Sequence, residues 1–145
     1  MEKVKLQAQY GLYINGQWRD ASDGATYNAE SPADGSHLAV CAQGTREDVE
    51  AASAAAWEAF KTWKKTTPAQ RAALLNKIAD IIDANKEHLA MVESMDNGKP
   101  IRETMNVDIP MAAEHFRYFA GCILAEEGQA SVLNEQFLSL SLIHI

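Results

Sequence analysis

The sequence predicts a mostly α-helical chain with an N-terminal β-hairpin and short strands, on three observations. Asn15-Gly16 lies between the β-formers of residues 12–14 and 17–18, and that dipeptide favours positive φ at both central positions of a type I′ turn. At Thr45 the spacing of apolar residues changes to the helical period. From Thr67 onwards the chain carries a succession of helix starts and stops rather than turn-and-strand punctuation.

Residues 1–11 are polar with scattered apolar positions and read as an N-terminal arm. After the hairpin, residues 20–24 form a second turn, residues 26–30 can extend, and Pro32-Ala33-Asp34-Gly35 turns the chain into a strand over 37–42. Thr45 with Asp48 three residues on resembles a capping box, and Val49, Ala52, Ala56, Ala59, Phe60 and Trp63 follow on one face of a helix reaching about Lys64. Thr67-Pro68-Ala69-Gln70 supplies an N-cap, a Pro at N1 and a Gln at N3. Leu75, Ile78, Ala79, Ile82, Leu89 and Val92 then line a second helix to about Met95, with a break near Asn85. Asn97-Gly98 is a left-handed cap and Pro100 opens a third helical region. Asp108 is expected to cap a fourth helix ahead of Pro110, with an inner face of Ala112, His115 or Phe116, Phe119, Ile123 and Ala125. Glu126-Glu127-Gly128 ends it, and a new strand is expected around Phe137.

Composition excludes several classes of function. The 145 residues carry a net charge of -7, with no clustered Lys or Arg to neutralise a phosphate backbone, so nucleic acid is not an expected partner. No stretch approaches the roughly 20 apolar residues of a membrane span. The N-terminus lacks the apolar core of a secretory signal, which implies a soluble, cytoplasmic protein. Cys41 and Cys122 lie in a predicted strand and a predicted helix with no CxxC spacing, and are expected to be buried, unreactive thiols. His115 beside Glu114 and Arg117 makes no acid–base constellation, because adjacent helix positions point in different directions. Phe116, Tyr118 and Phe119 read as core, and the Glu87–Glu93 surface as a solvated face. One oddity remains: each apolar stripe needs a partner layer, and the strands are too few to give every helix one.

Four stretches in order, YINGQW, NAESPADGSHLAV, TREDVEAASAAAWEAFKTW and MDNGKPIRET with HFRYFAG and EEG, resemble the N-terminal part of the NAD(P)-dependent aldehyde dehydrogenase superfamily. The last is most similar to the acetaldehyde-type branch. The resemblance runs from about Tyr10 to about Phe137. It implies an α/β, Rossmann-type subunit that oxidises a small-molecule aldehyde to a carboxylic acid with NAD or NADP and assembles as a homodimer or homotetramer. Within that frame, residues 12–139 would be the incomplete N-terminal part of the NAD(P)-binding domain. The family's catalytic cysteine, glutamate base and oxyanion-hole asparagine are expected downstream, so no catalytic and no cofactor-binding residue is assigned to this chain. The resemblance also implies a monovalent cation site formed by backbone carbonyls at Ala29 and Glu30 with Asp96; the competing role for Asp96 is to cap the turn at Asn97-Gly98. Residues 140–145 resemble one translated frame of a transposase adapter from DNA library preparation and are expected to be a non-native tail.

Three functional readings result. The first is an inactive N-terminal piece of an aldehyde dehydrogenase, whose helices leave apolar flanks bare. The second is a complete small helical binding or interaction protein, with all stripes mutually buried. The third is a stand-alone enzyme, which would need Cys122 and His115 within hydrogen-bond reach.

Overall fold

The structure, a computed structural model, describes residues 4–141. Strands β2 (Leu12–Ile14) and β3 (Gln17–Arg19) form the expected hairpin. Asn15 and Gly16 have φ of 53° and 77°, the two positive values a type I′ turn requires. β4 (Thr26–Glu30) and β5 (His37–Ala42) pair antiparallel, with a register irregularity between Ala29 and Glu30.

The described end of the N-terminal arm is paired. Gln9–Tyr10 forms β1 and pairs parallel with Val40 and Cys41 of β5, giving a three-stranded sheet of order β1-β5-β4. No pattern of residues signals this parallel pair in advance. A two-residue strand joins through backbone groups, and side-chain periodicity says nothing of it.

Both expected capping boxes are formed. Thr45 opens α1 (Arg46–Trp63) with Asp48 at N3, and Thr67 opens α2 (Pro68–Ala84) with Gln70 at N3 and Pro68 in the first turn. Asn85 separates α2 from α3 (Lys86–Asn97), which ends on Gly98 at φ 76°. Beyond Pro100, α4 (Ile101–Glu103) does not stop at a new cap. It passes through a π-helical turn over Thr104–Asp108 into α5 (Ile109–Leu124). Asp108 has helical φ and ψ and makes no capping bond; its carboxylate instead accepts from Lys99 Nζ at 2.7 Å. The expected N-cap is therefore an ion-paired residue inside a continuous helical segment that is locally underwound. A hairpin follows α5, formed by β6 (Ala130–Asn134) and β7 (Phe137–Leu140), of which only the second strand was expected. Asn134 Oδ1 closes its turn by accepting from the N–H groups of Gln136 and Phe137. Of the expected tail, Leu140 ends β7 and Ser141 N–H donates to Gln129 O at 2.9 Å; residues 142–145 lie outside the described residues. No described helix is long and apolar enough to cross a membrane.

The main packing is α2 along α5, with α3 against the π turn. Ala72 and Ala79 on α2 and Ala113 and Ala120 on α5 are buried, each pair seven residues apart, so the helices meet through small side chains. Arg117 on α5 donates to Asp80 and Asp83 of α2 at 2.8 and 2.7 Å. Thr104, fully buried, donates its hydroxyl to Ala90 O at 2.9 Å and ties the π turn to α3.

Every buried hydrophobic residue among those described is an alanine, and the largest fully buried side chains are Thr104 and Asp48. Leu75, Ile78, Ile82, Leu89 and Val92 of the expected inner stripe are half-buried, and many other large apolar residues are exposed. On α1, Val49, Phe60 and Trp63 of the expected inner face are exposed, and Trp57 is 69 % exposed. On α5 the inner face is Ala113, Ala120 and the half-buried Phe116, while Phe119 and Tyr118 face out. Cys122 is exposed too, contrary to the burial expected of it, because it lies off the alanine stripe; Cys41 is half-buried, and both are free thiols.

Candidate functional site

The one expected site falls where α3 passes the β4–β5 pair. Two features bring these elements together. The left-handed Gly98 lets the chain leave α3 beside the turn after β4, and a Cβ on Gly98 would lie 3.0 Å from Pro32 Cγ. Just beyond, Asn97 Oδ1 accepts from Lys99 N–H and Ser94 Oγ donates to Lys99 O at 2.6 Å, which folds the DNGK segment back on its own helix.

A cleft of about 160 Å³ lies at this junction, and its lining includes Tyr10, Ala29, Cys41, Glu93 and Asp96. Two of the three expected positions, Ala29 and Asp96, therefore share one cavity although 67 residues apart in number. Glu30, the third, is exposed and lines none of it; only its backbone can serve the site. The irregularity between Ala29 and Glu30 interrupts the ladder there, and such a bulge leaves backbone groups free to meet another partner. Asp96 does not cap the turn: Asn97 does.

Sequence reasoning missed Glu93. It stands three residues before Asp96 on α3, and that spacing puts both on one helix face. Its carboxylate accepts from Asn97 Nδ2 at 2.6 Å. The neighbouring Tyr27 phenol is held above its ordinary value, first by its electrostatic interaction with Cys41, then by their hydrogen bond, by burial and by Asp96. Tyr27 thus stays protonated at neutral pH.

A second polar cluster is structural. Asp48 is 2 % exposed. Its Oδ2 accepts from the N–H groups of Thr45 and Ser22, both at 3.0 Å, and from Thr45 Oγ1; its Oδ1 accepts from Arg19 Nη2 at 2.7 Å. The backbone N–H of Thr45, then that of Ser22, outweigh burial and hold the carboxyl at about 2. The cluster pins α1 to β3 and the loop after it, and no reacting group lies among its residues.

The rest of the expected chemistry is not assembled. Cys122 and His115 lie on α5 seven residues apart, a rise of roughly 10 Å, beyond hydrogen-bond reach. Among the described residues no group of three or more His, Cys, Asp or Glu could hold a metal ion. The left-handed glycines, Gly16, Gly24, Gly35 and Gly98, all lie in turns, and none joins a strand to the start of a helix. A dinucleotide pyrophosphate needs such a glycine-rich turn at a helix N-terminus, so the described residues do not fit that part of the cofactor.

The sequence profile of the aldehyde dehydrogenase family matches residues 18–142. A long-chain-aldehyde dehydrogenase of Acinetobacter is 45 % identical over 137 residues, 94 % of this chain and 27 % of that protein. An acetaldehyde dehydrogenase of Pseudomonas aeruginosa is also 45 % identical, over 91 % of this chain and 26 % of its own. The solved NAD+ complex of an aldehyde dehydrogenase from Bacillus cereus superposes with a TM-score of 0.84 at 36 % identity, covering 91 % of this chain and 27 % of that one. The chain spans about a quarter of the length of the curated relatives it matches. A profile match over most of the chain, a matching backbone, and an alanine core that leaves large apolar faces open agree with one another: the chain belongs to the aldehyde dehydrogenase family.

Proposed function

We propose that this chain is the N-terminal part of an NAD(P)-dependent aldehyde dehydrogenase, in which the complete polypeptide oxidises an aldehyde to a carboxylic acid and these residues do no chemistry themselves. The observation that carries this is the pairing of a family match with a core in which every fully buried hydrophobic residue among those described is an alanine. Residues 12–139 act as scaffold for the nucleotide-binding domain. The pyrophosphate cradle and the nucleophile are supplied by the remainder, so no catalytic step runs through this chain.

The same reading gives the cleft a role. Backbone carbonyls of Ala29 and Glu30 with the Asp96 carboxylate would hold a monovalent cation, a hard ion suited to oxygen ligands. Bound there, it would tie the DNGK segment to the β4 turn. NADP as alternative acceptor, a homodimer or homotetramer and a cytoplasmic location follow from the family reading. Relatives named for long-chain aldehydes and for acetaldehyde match equally well, so this segment does not select the substrate.

The reading is tested by a chimera in which this chain replaces the aligned segment of the Acinetobacter relative. Aldehyde-dependent NADH formation, followed at 340 nm, is expected from the chimera and not from the 145-residue chain alone. A soluble, folded chimera without activity would count against the proposal, as would turnover by the isolated chain. For the cation, a raised melting temperature in potassium or sodium over tetramethylammonium at equal ionic strength, lost in Asp96→Asn, is expected.

The alternative of a self-sufficient helical binding protein calls for mutually buried stripes. The exposure of Trp57, Phe60, Trp63, Ile81 and Phe119 opposes it.

A further inference from the structure

We infer that Asn15-Gly16 is a site of spontaneous deamidation and isoaspartate formation, and that the fold protects the same dipeptide at Asn97-Gly98. The reaction is intramolecular and needs only water. The Gly16 backbone nitrogen gives up its proton and attacks Asn15 Cγ, forming a C–N bond; the Cγ–Nδ2 bond breaks, and ammonia leaves carrying a proton. Water then opens the five-membered imide at one of its two carbonyls, leaving aspartate or isoaspartate with no change of oxidation state.

Both copies offer glycine as the attacking residue, the one whose missing Cβ least restricts the backbone rotation that attack requires. All four residues are exposed, so access to water does not separate the two sites. Hydrogen bonding does. Among the described residues, neither the Gly16 N–H nor the Asn15 side-chain amide has a hydrogen-bond partner. At the other copy every reacting group is held: Gly98 N–H donates to Ser94 O at 3.1 Å, Asn97 Nδ2 donates to Glu93 Oε1 at 2.6 Å, and Asn97 Oδ1 accepts from Lys99 N–H at 2.9 Å. Room to move differs as well. A Cβ placed on Gly16 would meet nothing within 4 Å, whereas one on Gly98 would lie 3.0 Å from Pro32 Cγ. Asn97 must first lose three hydrogen bonds, which should slow it by at least about tenfold relative to Asn15.

The two products differ in their reach. Aspartate keeps the length of the main chain and tolerates the positive φ of the turn. Isoaspartate routes the main chain through the former side chain and adds a methylene between residues 15 and 16. Across this two-residue turn Ile14 faces Gln17, Tyr13 faces Trp18 and Leu12 faces Arg19, and loop length sets that register. Arg19 is also the residue whose Nη2 donates to the buried Asp48 at the start of α1. A lengthened turn draws Arg19 away from Asp48, so the isoaspartyl form loosens the hairpin from α1.

The test incubates the 145-residue chain at mildly alkaline pH and follows tryptic peptides 6–19 and 87–102, each of which holds a single asparagine, by mass spectrometry. Peptide 6–19 should gain the mass of an amide-to-acid change at least about tenfold faster than peptide 87–102, and an isoaspartyl methyltransferase should label it. In urea the two peptides should convert at similar rates, because only the fold separates them. Asn15→Gly, which keeps a turn-compatible pair, should abolish labelling of peptide 6–19, and Glu93→Ala, which frees Asn97 Nδ2, should speed conversion of peptide 87–102. The isoaspartyl fraction should melt below Asn15→Asp. Equal rates in the folded chain, faster conversion at Asn97, no conversion at Asn15, or a difference that persists in urea would overturn the inference. An isoaspartyl fraction that melts with Asn15→Asp would overturn its reach to α1.

Discussion

Replacing Ile81 by Ala and Ala79 by Leu, two positions apart on α2, should have effects in the reverse order from those of an ordinary core helix. Ile81→Ala removes three carbon groups, each worth about 0.8 kcal/mol when fully buried. The side chain is 53 % exposed, so about half of that is already forfeited to water, and no closed cavity is left to add its cost. The expected loss is roughly 1 kcal/mol, reduced by the few tenths of a kcal/mol that Ala gains as the better helix former. A buried Ile would lose about 2–5 kcal/mol. Ala79 is 0 % exposed where α2 meets α5, and forcing a Leu into it should cost about 1–3 kcal/mol through displaced neighbours. Urea unfolding of the isolated chain, followed by circular dichroism at several protein concentrations, measures both. If Ile81→Ala costs about 3 kcal/mol or more and Ala79→Leu almost nothing, the apolar flank is buried in solution and the account of α2 as exposed at Ile81 and closely packed at Ala79 is wrong.

Gly98→Ala should lower stability by about 1–2 kcal/mol, since φ is 76° and the new methyl would meet Pro32; an unchanged urea midpoint would refute it. Thr104→Val keeps the shape but removes the bond to Ala90 O, and should cost about 1–2 kcal/mol by thermal melting, with Thr104→Ser retaining part of it. The pH dependence should centre on Asp48. Its folded value of about 2 lies below the ordinary 3.8, so its contribution is complete above about pH 4 and is lost as pH falls through about 2. Asp48→Asn, which sets an amide donor against Arg19 or the Thr45 and Ser22 N–H groups, should flatten the fall in melting temperature over that window. An equally steep fall in the variant would assign it to other groups.

What could be read in advance is what a few consecutive residues decide. Asn15-Gly16, Thr45 with Asp48, Thr67 with Gln70 and the left-handed Gly98 each act within one turn, so their chemistry is complete in the local sequence. Asp108 was misread because the same residue type can cap a helix or pair with a distant cation, and the choice depended on where Lys99 came to lie. The Arg19–Asp48 contact bridges 29 positions, and no spacing rule reaches that far. At the cleft, Ala29 and Asp96 came from family likeness. Glu93 could have been found from its three-residue spacing to Asp96, but a carboxylate on a solvated face carries no mark of the cavity behind it.

The strand order β1-β5-β4 fixes a timetable for synthesis. β5 lies between both partners and is the last of the three to be made. Until residue 42 has left the ribosome, Gln9 and Tyr10 have no edge to join, and β4 has no neighbour. The opening segment must therefore wait, unpaired, through the translation of some thirty later codons, a delay that a chain growing N-terminus first imposes on any strand whose mate comes later.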